Sequence, residues 1–276
     1  MKSSLWIVFA LTVIMLGTSC SKEYKKYANW SRKGTTAQKD SAAFYYYNRE
    51  DYDKAAFLFE DLRNVYRGGE RAKDILYHYA MAKYNQGLYV VAAYYFEQYT
   101  KQYPSDARAE ECTFRVGYCY YLQSAPYYLD QDFTKKTIDQ MQLFLNAFPY
   151  SERSDEANKL IEEMREKLAK KEFESAKLYY KLSNYKGAVT AFEVMMQEYP
   201  DSRYREEAQF LMFKSSVSLA DISTERRKKN RYLDAIELYE KFLERYPNST
   251  YLREAESLYA KARKSLGKLN ADTASK

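Results

Sequence analysis

At 276 residues, with 46% hydrophobic and 30% charged side chains, the chain can bury a sizeable core. Eight glycines and five prolines are too few for the turns of an all-β protein, and one histidine leaves neither a metal cluster nor a Ser/His or Cys/His relay, so no enzyme, metal or cofactor is expected. A net charge of +6 is too mild to mark a nucleic-acid binder, and no glycine-rich loop follows a strand to cradle a nucleotide.

The chain opens on Lys2 and an apolar run from Leu5 to Leu16, followed by Gly17, Thr18 and Ser19 before Cys20. A run of twelve residues falls short of the ~20 that span a bilayer, so residues 1–19 read as a signal peptide. The small residues ahead of Cys20 resemble the lipobox of bacterial lipoproteins, in which the cysteine is acylated and becomes the first mature residue; Gly17 departs from the Leu preferred there. Residues 20–39 carry Lys22, Lys25, Lys26, Arg32, Lys33 and Lys39 and are expected to form a flexible basic tether that favours anionic headgroups.

Beyond the tether the sequence repeats. Aromatics close five stretches at Tyr66, Tyr103, Phe148, Tyr199 and Tyr246, four of them directly before proline. Leu62, Tyr99, Phe144, Met195 and Phe242 stand one turn earlier, and Ala55, Ala92, Thr137, Ala188 and Ala235 near the start of the same helix. Upstream of each copy a small residue (Ala43, Ala80, Gly117, Ala176, Ser216) is followed four positions on by Tyr47, Tyr84, Tyr121, Tyr180 or Ala220. Small then bulky at one helical turn lets a neighbouring helix approach. Each copy is therefore helix, turn, helix at the spacing of the tetratricopeptide repeat, whose pairs stack because one pair alone cannot bury its apolar face. The expected fold is all-α: a right-handed superhelical solenoid of five such pairs with a C-terminal capping helix.

Repeats one to three are expected within residues 40–149, the third with a loop of eight extra residues at Ser124–Asp132. Residues 150–268 would hold a long helix from about Asp155 to Leu182, repeats four and five, and a capping helix from Thr250 to Leu266, leaving 269–276 as a disordered tail. Repeat five carries a seven-residue insertion around Ser223–Asn230, read as an exposed basic loop. Ser105 or Asp106, Ser151, Ser202 and Ser249 are offered as N-caps. Acid pairs such as Glu110-Glu111 and Glu206-Glu207 read as solvated helix faces, and His78 as a helix-surface residue. Cys112 and Cys119, seven apart on one helix, stand ~10 Å apart, too far for a disulfide. They read as buried thiols, an intermolecular bridge being the alternative. Packing absorbs only part of the 31 tyrosines; the rest would be exposed or line a groove suited to protein recognition.

The segment Phe148-Pro149-Tyr150-Ser151, the long helix with Leu168-Ala169-Lys170-Lys171-Glu172-Phe173 and Tyr179-Tyr180, and Gly187-Ala188-Val189 to Tyr199-Pro200-Asp201-Ser202 resemble the BamD family. These are lipoprotein subunits of the machinery that inserts β-barrels into the bacterial outer membrane. Ordinary repeats lack the long helix. The long repeat five, the tyrosine excess and acidic Glu193 and Glu198 depart from the family pattern. The resemblance implies a non-catalytic periplasmic scaffold, lipid-anchored through Cys20 in the inner leaflet of the outer membrane. Its implied partners are the POTRA domains of BamA and unfolded outer membrane β-barrel proteins, with no nucleic acid. A substrate-peptide groove would then be lined by Phe44, Tyr47, Asn48, Tyr77, Met81, Tyr84 and Asn85, with aromatic shelves for a barrel protein's aromatic C-terminus and Asn amides for backbone. The alternative is that Tyr47 and Tyr84 only pack the next helix. The partner interface falls on repeats four and five, around Tyr232, Glu237, Lys241 and Arg245, with Arg226, Arg227, Lys228 and Lys229 at its edge. The rival within this architecture is another tetratricopeptide-repeat envelope lipoprotein that coordinates cell-wall or polysaccharide assembly.

Overall fold

The computed structural model describes residues 22–274, so the expected signal peptide and Cys20 lie outside the described residues. Within them the chain is helical throughout: α1 (residues 22–33), α2 (Thr36–Asn48), α3 (Tyr52–Val65), α4 (Ala72–Asn85), α5 (Tyr89–Gln102), α6 (Ala109–Gln123), α7 (Asp132–Ala147), α8 (Ser154–Lys181), α9 (Tyr185–Glu198), α10 (Arg205–Asp221), α11 (Glu225–Arg245) and α12 (Leu252–Ala274). The chain divides into two compact units, one of residues up to 124 with 136–157, the other of 125–135 with 158 onwards.

In the first unit the repeat ladders are the core. Ala42, Ala43, Tyr46, Ala55, Phe59, Leu62, Ile75 and Tyr79 form one cluster, and Ala80, Ala92, Phe96, Tyr99, Cys112, Val116 and Cys119 the next. Phe59 and Phe96 are fully buried, each worth ~2–3 kcal/mol of apolar burial. Small residues sit where helices touch: a Cβ on Gly117 would come within 2.9 Å of Met141 Cε. Cys112 and Cys119 are free and buried, which removes the intermolecular bridge, and burial pushes both thiols up to about 12.

The turn between the helices of a pair is the same in three copies. Glu50 (φ 61°), Gly87 (φ 75°) and Ser183 (φ 59°) all take the left-handed conformation. The next residue's N–H then reaches back to a helix carbonyl, Asp51 to Tyr46, Leu88 to Lys83 and Asn184 to Tyr179, in the Schellman pattern. Asp51 and Asn184 go on to cap α3 and α9 with their side chains. The closing serines stand two residues before the N-cap position rather than at it: Ser151, Ser202 and Ser249 accept from the N–H of the residue two ahead, which directly precedes the helix. Ser151 and Ser249 also donate to Glu110 and Glu206, at 2.5 Å each, and Ser202 to Glu166 at 3.3 Å. Glu110 and Glu206 are thus clamps on the following turn rather than members of solvated acid pairs.

The second unit repeats the scheme. Ala169, Phe173, Ala176, Ala188, Phe192 and Met195 pack α8 on α9; Phe210, Phe213, Ala235, Tyr239, Phe242 and Ala255 pack α10, α11 and α12. The insertion after α6 is an ordered loop, its Gln131 amide donating to the carbonyls of Pro126, Leu129 and Asp130 and the Lys171 ammonium to that of Leu129.

Four further sequence expectations are corrected. The basic segment after Cys20 is helix α1 followed directly by α2, because Tyr27 stacks on Tyr45 at 3.9 Å and anchors it. The repeat-five insertion is helix: α11 has 21 residues against 14 in α9, and seven extra residues make close to two full turns, which keeps the buried face in register. No glycine or proline interrupts Ser223–Asn230, and Arg, Lys and Glu are good helix formers. The capping helix runs on to Ala274, so residues 269–274 of the expected tail are helical. His78 is half-buried rather than a surface residue, held by Nδ1 at 2.8 Å from the Asp74 carbonyl and enclosed by the rings of Phe44, Tyr47, Phe59 and Tyr77.

Candidate protein-interaction surfaces

The first helices of the pairs share a joint that local sequence does not display. Two positions before the small ladder residue of one repeat stands a side chain that meets the tyrosine of the repeat before it. His78 meets Tyr47 edge-on at 5.1 Å, the Arg115 guanidinium lies 5.1 Å from the Tyr84 ring centroid, and in the second unit the Lys214 ammonium lies 5.8 Å from that of Tyr180. Tyr47 and Tyr84 therefore do pack the next helix. Both remain half-buried, with part of each ring open.

The residues around them form one network over α2, α4 and α6. Phe44 lies edge-on to His78 at 4.7 Å with the Arg71 guanidinium 4.7 Å from its ring. The Tyr77 hydroxyl donates to Glu111 Oε2 at 2.8 Å, and Arg115 Nε donates to Glu111 Oε1 at 2.8 Å. Burial, the largest influence, pushes the Glu111 carboxyl up, yet the hydrogen bonds from Tyr77 and Arg115 outweigh it and hold its pKa below the usual carboxylate range. Burial and the bond to Glu111 raise the Tyr77 phenol, and burial lowers the His78 imidazole. Met81 packs half-buried against the cluster of repeats two and three. Asn48 and Asn85, at the exposed C-terminal ends of α2 and α4, make no side-chain hydrogen bond among the described residues. Phe44, Tyr47, Tyr77 and Tyr84 are thus brought together. His78, Glu111 and Arg115 were missed; the available signal was that His78 and Arg115 share a register, two before Ala80 and Gly117.

In repeats four and five the expected residues separate. Tyr232 is 4% exposed, its hydroxyl donating to Asp221 at 2.7 Å, and packs with Ala220, Ile236, Ala262 and Leu266, so it belongs to the core and not to an interface. Glu237 and Lys241 are exposed and paired at 2.6 Å. Lys241 and Arg245 line a cleft of about 820 Å³ with Glu193, Met196, Gln209 and Met212. Arg226, Arg227 and Lys229 are exposed on the first turns of α11 with no acidic partner among the described residues, while Lys228 pairs with Glu225 at 2.7 Å.

Among the described residues no cluster of three or more His, Cys, Asp or Glu could hold a metal ion, and no helix is long and apolar enough to cross a membrane. Tandem helix pairs with small-residue ladders and closing aromatics define a tetratricopeptide-repeat protein, and the model of a tetratricopeptide-repeat family matches residues 217–249. The model of the YfiO family, outer membrane lipoprotein, matches residues 35–230; the chain belongs to this family, the BamD family of the resemblance. No curated protein matches the chain. Among solved structures it is similar to the TPR2AB domain of yeast Sti1 in its pHSP90 complex, at 18% identity over 83% of this chain and 98% of that one, with a TM-score of 0.39. It is also similar to the TPR domain of P58(IPK), at 15% identity over 86% of this chain and 65% of that one, with a TM-score of 0.40.

Proposed function

We propose that this outer membrane lipoprotein is a non-catalytic scaffold of the β-barrel assembly complex, anchored through Cys20, that binds the POTRA domains of BamA and unfolded outer membrane β-barrel proteins. The observation that carries the reading is the family match over residues 35–230, which contains the 28-residue helix α8 that ordinary repeats lack. The half-open rings of Phe44, Tyr47 and Tyr84 beside the unengaged amides of Asn48 and Asn85 support a peptide groove on α2 and α4: rings offer shelves to an aromatic C-terminus, and amides bond to extended backbone. The exposed charges Arg226, Arg227, Lys229, Glu237, Lys241 and Arg245 support docking of a folded partner on the second unit, without Tyr232.

Copurification from detergent-solubilised membranes tests the assembly: a β-barrel protein with POTRA domains is expected, and a cell-wall synthase in its place refutes the reading in favour of the rival. Photoreactive residues in place of Phe44 and Met81 test the groove. They should crosslink to a C-terminal peptide of a barrel protein; labelling confined to repeats four and five overturns the groove assignment.

A further inference from the structure

Helix α1 segregates its charge with unusual completeness. At 3.6 residues per turn, Lys22, Lys25, Lys26, Arg32 and Lys33 all fall within an arc of about 120°, with Tyr24 and Tyr27 opposite and Trp30 at the boundary. The aromatic side is spent on the protein. Tyr27 stacks on Tyr45 at 3.9 Å, Tyr24 stands edge-on to Tyr46 at 6.3 Å, and Tyr27 and Trp30 pack on the first core cluster. The link to α2 is short and stiff: a Cβ on Gly34 would lie 2.4 Å from the Trp30 carbonyl oxygen, and Thr35 closes a capping box with Gln38.

The basic side makes only contacts within α1: the Lys26 ammonium lies 4.5 Å from the Trp30 ring centroid and 5.4 Å from that of Tyr27, and Arg32 Nε donates to the Ala28 carbonyl at 3.4 Å. All five cations are exposed, and none has a carboxylate within ion-pair distance among the described residues. The one acid of α1, Glu23, lies outside the arc. A stripe of unneutralised cations, rigidly mounted and beginning two residues after Cys20, fits a planar anionic surface.

We propose that α1 is a membrane-docking helix whose basic stripe binds the anionic headgroups of phospholipids. The inference deepens the lipoprotein reading: the lipid of Cys20 holds the chain at the bilayer, and α1 sets repeat one against it in a fixed orientation instead of letting it swing on a tether. A cation at a lipid surface is worth about fivefold in binding, so five together are worth on the order of a thousandfold at low salt if all engage. The interaction is screened as the Debye length shrinks to ~3 Å at 1 M salt.

Trp6 and Trp30 are the two tryptophans, and cleavage ahead of Cys20 leaves Trp30 alone, so intrinsic fluorescence reports on α1. The lipidated chain is reconstituted with vesicles of brominated phosphatidylcholine, or of phosphatidylcholine with brominated phosphatidylglycerol. Flotation with both compositions reports the Cys20 anchor; quenching of Trp30 reports α1. The expected result is quenching in the anionic vesicles that high salt reverses and that the K22Q/K25Q/K26Q/R32Q/K33Q variant loses, with flotation unchanged. Flotation with the anionic vesicles alone would still support α1 while removing the anchor. Equal quenching by both lipids, or quenching that neither salt nor the variant alters, overturns the proposal; so does its absence from both, which would turn the stripe toward an acidic protein. The salt response of the unaltered chain keeps the test decisive should the variant misfold.

Discussion

Arg115 ties repeats two and three together, and its removal should show how much one inter-repeat joint is worth. Arg115→Met keeps an aliphatic stem but deletes the guanidinium that lies 5.1 Å from the Tyr84 ring and bonds Glu111 at 2.8 Å. Loss of the cation–π contact at a partly exposed site costs ~1 kcal/mol. Glu111 is then left with the Tyr77 hydroxyl as its remaining partner in this network, which adds ~1–2 kcal/mol for a half-buried carboxylate. The side chains of Arg115 and Glu111 are 20% and 29% exposed, so water recovers part of that, and the net cost is about 2 kcal/mol. Urea unfolding followed by far-UV circular dichroism measures it. A double-mutant cycle with Tyr84→Leu should give a coupling energy of ~0.5–1 kcal/mol. A loss below about 0.5 kcal/mol, or strict additivity with Tyr84→Leu, would refute the idea that this contact joins the repeats.

Three further outcomes follow from the same structure. Ser183 takes φ 59° where Gly87 takes 75°, so Ser183→Gly should raise stability by ~0.5–1 kcal/mol and Gly87→Ala lower it by ~1 kcal/mol, read as shifts in the urea midpoint. The Asp106 carboxyl accepts from Arg108, Tyr99 and Lys73, and these bonds, those of Arg108 first, depress its pKa far below the ordinary carboxylate range. A depressed folded pKa stabilises fully above the unfolded value of about 4 and is lost as pH falls toward the folded one. Asp106→Asn should therefore be less stable than the parent at neutral pH, with the gap closing progressively below about pH 4; a pH-independent gap sinks the assignment. Finally, replacing Arg226, Arg227, Lys228 and Lys229 together with Gln preserves helix propensity in α11 and should slow association with a POTRA segment at low salt while leaving folding intact. Unchanged association kinetics would place the interface elsewhere.

The repeat itself was legible in the sequence because its signals are local. The alternation of small and bulky residues at one helical turn, as in Ala80 and Tyr84, and the aromatic-Pro closures such as Tyr199-Pro200 depend only on helical period and on what stops a helix. The same locality located α8 to within a residue at each end. Reading failed where polar composition had to be assigned a conformation. Residues 22–33 have the composition of a linker, and their helix rests on Tyr45 and Tyr46, about twenty positions away. Arg226–Lys229 looks like a loop until the two-turn length of the insertion is set against the need to keep Tyr232 and Ile236 buried. The aromatic members of the candidate groove were named from periodicity, but His78, Glu111 and Arg115 were not, and Tyr232 was misplaced on the surface. Which ring a cation covers, or which serine a glutamate holds, is settled between residues 31 to 43 positions apart, such as Asp40 with Arg71 and Glu206 with Ser249. A single chain specifies its own helices through neighbours a turn away. What those helices present to one another depends on how the pairs stack, and that is decided by packing over distances the local pattern does not encode.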